Sequence, residues 1–286
     1  MINTVQTTIL KWLARYKYLN INQIHHHFFR GKTKRNTEIA LQRLEQQGYI
    51  HRISFPRSPN FNFGMICYLS KQGYAYLEAE AHFERQSFYT QPVKKPISSP
   101  NHYYHKMRCT DFFIALDLSL IQFSQLHLTK VLVESRQMNI EGKGVVETNF
   151  MEGENGVIAD MAFVIANENG TEAVWMVEID TAKEVIGGKM ERVPVGSLLH
   201  KFQQYEYLLQ RDIWKNRLET DAQAFQVLVV TETEQHLASI VKQTGEKLKF
   251  PRIFFGSTHE QMTDTNVMAG EVWKSFSNNH VTVRLL

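Results

Sequence analysis

The chain has 286 residues, 43% of them hydrophobic and 12% aromatic, which is enough to build a packed core and two domains and excludes a disordered or fibrous protein. No apolar run approaches the roughly 20 residues of a membrane helix, and the charged start MINTVQTTILKWLARYKYLN is unlike a signal peptide, so the chain reads as soluble and cytoplasmic with no membrane insertion. The net charge of +3 conceals an asymmetry, with 16 Lys+Arg against 5 Asp+Glu in residues 1–110 and 16 against 24 in residues 111–286, so a polyanion partner is expected for the front and a different task for the back.

Val5, Ile9, Trp12, Leu13 and Tyr16 recur at helical spacing and predict a first helix. A second is predicted within NINQIHHHFF, where Asn20 and Gln23 have capping-box spacing and Ile21, Ile24 and Phe28 form the inward stripe. After the turn RGKTKR, a third helix, RNTEIALQRLEQQG, buries Ala40, Leu41 and Leu44 and stops at Gly48. YIHRISF and FGMICYLSKQGYAYL read as two strands around the loop PRSPNFN, so residues 1–81 are expected to form a winged helix-turn-helix.

In that fold the second helix of the motif enters the major groove. Lys32, Thr33, Lys34, Arg35, Asn36 and Gln42 are therefore the DNA-binding candidates on the recognition helix, with Arg52 and Arg57 at the wing. Arg35 or Lys34 suits guanine and Asn36 suits adenine, without the sequence deciding which reaches a base. The alternative is a protein-interaction domain whose charges only solvate its surface, but 11 Lys+Arg against 4 Asp+Glu in residues 1–80 favour double-stranded DNA. His25, His26 and His27 point in three directions around a helix and cannot share a metal.

Residues 82–101, with Pro92, Pro96 and Pro100, read as a linker, which leaves 102–286 as the second domain. There HKMRCTDFFIALDLSLIQF predicts a helix, and LTKVLVESRQ, GVIADMAFVIA and EAVWMVEID three strands. SLLHKFQQYEYLLQ follows as a helix, AFQVLVVTET as a strand, TEQHLASIVKQTGEKL as a helix and PRIFFGS as a last strand, an α/β order. Cys67 and Cys109 lie far apart, form no CxxC pair and read as small core residues.

Glu178 and Asp180 stand two apart in a strand and so share one face, where they repel one another. If the preceding strand pairs with theirs through NENG, Asp160 arrives at the same end and three carboxylates converge. Such hard oxygen ligands suit Mg²⁺ or Mn²⁺. The bland alternative is a solvated strand end.

An Asp on one strand followed by EID at the end of the next resembles the PD-(D/E)xK nuclease core. Together with a winged helix in front and HKFQQYEYL behind, the pattern resembles the replication-relaxation family and the related MOB-C conjugative relaxases. The resemblance implies a restriction-endonuclease-like domain, with Asp160, Glu178 and Asp180 as catalytic and metal-binding acids and Glu134 as a further metal ligand. Two positions depart from the pattern: Ala159 stands where Pro is usual, and Asp180 where Lys is usual. Lys201, on the following helix, matches the relocated lysine of such members, and Lys183 and Lys189 are competitors. The implied activity is metal-dependent nicking of plasmid or integrative-element DNA near an origin, with relaxosome or coupling proteins as partners and homodimers as an option. Tyr103, Tyr104, Tyr205 and Tyr207 keep a covalent route open. The rivals are a non-catalytic regulator that keeps the nuclease fold as a scaffold and a relaxosome accessory protein.

Overall fold

Asn3 accepts the Gln6 amide at 2.9 Å while the Gln6 side chain accepts the Asn3 amide at 3.1 Å, a capping box that starts helix α1 (Thr4–Tyr16). This computed structural model describes residues 2–55, 63–79, 97–134, 136–140, 143–187, 192–263, 266–277 and 282–283. It divides into two compact units, Met1–Asp111 and Phe112–Leu286.

In the first unit, strand β1 (Leu19–Asn20) runs into α2 (Ile21–Phe28), where the expected Asn20/Gln23 capping box forms. Helix α3 (Lys34–Gln46) ends with the Tyr49 amide donating to the Leu44 carbonyl and the Gly48 amide to that of Glu45. Gly48 makes this stop possible because its φ of +77° lies in the left-handed region. Strands β2 (Ile50–Ser54) and β3 (Met65–Leu69) pair antiparallel, and β1 adds to the other edge of β3. Ile9, Leu13, Ile24, Leu41, Leu44 and Ile66 are fully buried in this unit.

The run FGMICYLSKQGYAYL, expected as one strand, changes to helix after Leu69, giving α4 (Lys71–Ala79). Ser70 causes the switch: its hydroxyl accepts the Gly73 amide at 3.0 Å and donates to the Gly48 carbonyl at 2.5 Å. Gly73 permits close docking, since a Cβ there would lie 2.2 Å from the Tyr49 carbonyl oxygen. Helix α5 (Pro100–Leu120) contains the division between the units, whereas the sequence placed the second domain from residue 102. Its Tyr103 is buried in the first unit, with its ring 5.0 Å from that of Phe63. Residues 82–96 of the expected linker, Arg57 with most of its loop, and Lys189 lie outside the described residues.

In the second unit, β4 (Leu126–Val133) is followed by a hairpin of β5 (Gln137–Ile140) and β6 (Lys143–Val146) that the sequence reading did not anticipate. Then come β7 (Met161–Asn167), β8 (Glu172–Asp180), α6 (Leu198–Leu209), α7 (Ile213–Leu218), β9 (Phe225–Thr231), α8 (Glu234–Thr244) and β10 (Phe254–Thr258). PRIFFGS is not the last strand: after α9 (Asn266–Ala269), β11 (Trp273–Ser275) and β12 (Thr282–Val283) extend the sheet antiparallel from β10. The mixed sheet has the order β12-β11-β10-β9-β8-β7-β4, with β8, β9 and β10 parallel.

Two crossovers join the parallel strands, and Phe202, Tyr205 and Leu208 of α6 and Leu237 and Ile240 of α8 share one core with Val174, Met176, Val227 and Val229. Successive right-handed crossovers place both helices on the same face. On the other face Phe163 stacks on Trp175 at 5.3 Å and lies 6.5 Å from Phe112. Because β8 and β9 are parallel, their carboxyl ends coincide, and the first turns of α6 and α8 return to that end.

Candidate functional site

Asp160 sits one residue before β7 rather than within it, but it continues the ladder: its amide donates to the Val177 carbonyl at 3.1 Å, and its Oδ2 accepts the Ile179 amide at 2.7 Å. The register Met161↔Val177, carried one step further, sets Asp160 opposite Glu178. On its other side the Glu134 amide donates to the Asp160 carbonyl, one step beyond Val133↔Met161. Glu134, Asp160 and Glu178 therefore form a row across three neighbouring strands with their side chains on one face.

Asp160 and Glu178 are 8% and 3% exposed, so they are not a solvated strand end. Lys201, in the first turn of α6, forms an ion pair with Glu178 Oε2, and the Tyr205 hydroxyl, one turn on, donates to Glu178 Oε1. Burial pushes the Glu178 carboxyl up to about 8, against the opposing pull of the Lys201 ammonium. Burial also works against the charge on Lys201, but Glu178 and then Asp160 outweigh it and hold the ammonium above its ordinary range. The nearby Glu184 adds to the negative field at Lys201. Lys183 is exposed in the loop after β8.

Asp180 shares the face but not the cluster. Its Oδ1 accepts the Ala182 amide at 2.8 Å, and its Oδ2 lies 2.6 Å from His236 Nε2 in the first turn of α8. Among the described residues, no three of Glu134, Asp160, Glu178 and Asp180 bring carboxylate oxygens within 4.8 Å of one another. The expected repulsion between Glu178 and Asp180 is thus relieved by two cationic or hydrogen-bonding partners on two different helices. The sequence reading missed His236, which nothing local marks; its role follows from Asp180↔Thr231 pairing, which brings the start of α8 beside Asp180.

Two of the four tyrosines, Tyr205 and Tyr103, are poorly disposed to act as nucleophiles. Tyr205 is fully buried, and burial followed by the Glu178 charge raises its hydroxyl well above the ordinary value. Burial raises Tyr103 likewise. Tyr207 donates to Glu152 at 3.1 Å at the surface, and Tyr104 accepts from Arg108.

The donor set of Asp160 and Glu178, two buried carboxylates with hard oxygens on adjacent strands, fits a small divalent cation such as Mg²⁺ or Mn²⁺. Each carboxylate oxygen has two lone pairs, so the Ile179, Tyr205 and Lys201 contacts leave acceptor capacity.

In the first unit, Lys32, Thr33, Lys34, Arg35, Asn36 and Gln42 are all exposed. Lys34 donates to Asn22 Oδ1 at 2.8 Å and staples α3 to α2, and the Thr33 hydroxyl donates to Asn36 Oδ1 at 3.3 Å. Arg52 braces the sheet against α3, its Nε donating to Glu45 Oε2 at 2.6 Å. Thr37, fully buried on α3, hydrogen-bonds His25 at 2.9 Å, so one of the three histidines is structural.

A model of the family described as Replication-relaxation matches residues 10–221. No curated protein matches the chain. Among solved structures, an XisH family protein from Nostoc punctiforme PCC 73102 aligns over 54% of this chain and 94% of its own, at 11% identity and a TM-score of 0.24, a likeness too slight to carry weight. Among the described residues, no helix is long and apolar enough to cross a membrane.

Proposed function

The chain belongs to the replication-relaxation family, which suggests a role in plasmid replication or DNA processing, and on that footing we propose that it binds and nicks origin DNA. In this reading the first unit is a winged helix-turn-helix: α2, a turn and α3 form the motif, and β2 with β3 the wing. The second unit is a restriction-endonuclease-like domain related to those of MOB-C relaxases, acting on double-stranded plasmid or integrative-element DNA. Relaxosome proteins would supply partners.

The observation that carries the reading is the pairing of buried Asp160 and Glu178 with the half-buried Lys201 at the carboxyl end of the parallel strand β8, the end at which open α/β sheets bind their ligands. Asp160 and Glu178 would hold a Mg²⁺ or Mn²⁺, with Glu134 as a further acid in the row. Such an ion, when bound, polarises a phosphate and lowers the pKa of a water. Lys201 holds a fixed positive charge beside the scissile phosphate, where it offsets the negative charge that develops during cleavage. Tyr205 fixes the rotamer of Glu178 from inside the core. Asp180 holds His236 and shapes the rim of the site.

The test is incubation of the full chain with a supercoiled plasmid carrying its element's origin, with Mg²⁺, Mn²⁺ or EDTA. The reading expects metal-dependent open circles from wild type and none from Glu178→Gln, with DNA binding retained. One observation favours the regulator instead: both oxygens of Glu178 already have protein partners. Sequence-specific binding without nicking under either metal would select that reading.

A further inference from the structure

Helix α3 turns Thr37, Leu41 and Leu44 into the core, each 0% exposed. At roughly 100° per residue, Ile39 lies nearly opposite that buried stripe, midway along the helix. It is 39% exposed, and Arg35, Asn36, Gln42 and Arg43 around it are all exposed and able to hydrogen-bond. A single exposed isoleucine is ordinary on a protein surface. Here it occupies the centre of the face that the proposed function lays in the major groove, between two arginines one turn away on either side.

We propose that Ile39 is a specificity-determining residue that packs on the C5-methyl group of a thymine in the bound site. The inference rests on the DNA-binding part of the proposed function. In the major groove the base edges display donors and acceptors, and the thymine methyl is the apolar feature among them. An apolar side chain flanked by guanidinium and amide groups is complementary to a thymine flanked by polar base edges. Arg35, nearer the amino end of α3, reaches toward bases, and Arg43 toward the backbone.

A protein occupant is the competing possibility, because Ile39 and Val5 of α1 line one groove of about 210 Å³. The charge around it favours DNA: Lys32 and Arg43 also line the groove and Arg35 flanks it, while Glu45 on the same helix is held by Arg52. Glu38 is the acid on the flank of this face. An apolar peptide would gain nothing from such a cationic rim, whereas phosphates would.

The test uses the full chain. Duplexes that bind wild type are enriched from a random library, and each thymine of the resulting site is then replaced singly by uracil, which pairs identically but lacks the methyl group. Wild type should lose roughly fourfold in affinity at one position, the worth of about one buried methyl. Ile39→Ala should bind the thymine and uracil probes alike, while Arg35→Ala should bind both more weakly but still tell them apart. Discrimination that persists in Ile39→Ala overturns the proposal, as does a selected site with no thymine that responds. Self-association that Ile39→Ala abolishes without any change in DNA binding also overturns it, in favour of a protein groove. A wild-type chain that enriches no duplex overturns the DNA-binding reading itself, and this inference with it.

Discussion

Replacing Lys201 by methionine tests whether the Glu178 ion pair is an energetic centre of the second unit. Glu178 is 3% exposed, and Lys201 is the partner that opposes its desolvation. Two charges about 4 Å apart at an effective dielectric of about 20 interact by roughly 4 kcal/mol, and breaking one side of a buried pair costs about 3–5 kcal/mol. Lys201→Met removes the charge that lowers the Glu178 pKa, so that pKa rises further above its present value of about 8. A carboxyl raised in the folded state binds more protons there than in the unfolded chain. Its stabilising contribution is complete below the ordinary value of 4.5 and is lost as pH rises through the folded value. The penalty of Lys201→Met should therefore be small up to about pH 8 and grow above it by about 1.4 kcal/mol per pH unit, toward an upper bound of about 3–5 kcal/mol. Urea unfolding followed by tryptophan fluorescence reads out the loss, since three of the four tryptophans, Trp175, Trp214 and Trp273, lie in the second unit. The double variant with Glu178→Gln should recover most of the loss at high pH. A penalty that is flat or falls with pH, or two single losses that simply add, would refute this account of the pair.

Gly73→Ala should cost at least roughly 1–3 kcal/mol, visible as a lower Tm, because the new Cβ would meet the Tyr49 carbonyl oxygen at 2.2 Å; an unchanged Tm would show that α4 can shift to make room. Cys67 is buried in the first unit, and burial pushes its thiol up to about 12. Ellman's reagent at pH 8 should leave it unlabelled until denaturant is added, and prompt labelling in buffer would contradict the packing of β3.

The parts of the fold that local chemistry determines could be read from the chain. The Asn20/Gln23 cap and the Gly48 stop each depend on residues within a few positions of one another, and both form as expected. Position 70 shows the limit: MICYLSKQGYAYL is rich in strand-forming aromatics that mask the local cap of Ser70 on the Gly73 amide, and the bond from Ser70 to the distant Gly48 carbonyl is not legible in the chain. The strands β11 and β12 escaped because their residues are few and weakly patterned. In the site, Asp160, Glu178 and Lys201 were visible as a motif; the ladder sets Asp160 beside Glu178, and α6 brings Lys201 to Glu178. The separate allegiance of Asp180 to His236 was not visible, because 56 residues lie between them and the parallel pairing of β8 with β9 is what closes the gap.

Binding of Mn²⁺, followed by the loss of the free-ion electron paramagnetic resonance signal, tests the proposed centre without knowledge of the DNA site. Wild type should bind the ion, Asp160→Asn and Glu178→Gln should lose it, and Asp180→Asn should keep it because that carboxylate serves His236. Mn²⁺ binding that survives Glu178→Gln, or no binding by wild type at all, would contradict the account and leave the acid row as an internal brace of a non-catalytic DNA-binding protein.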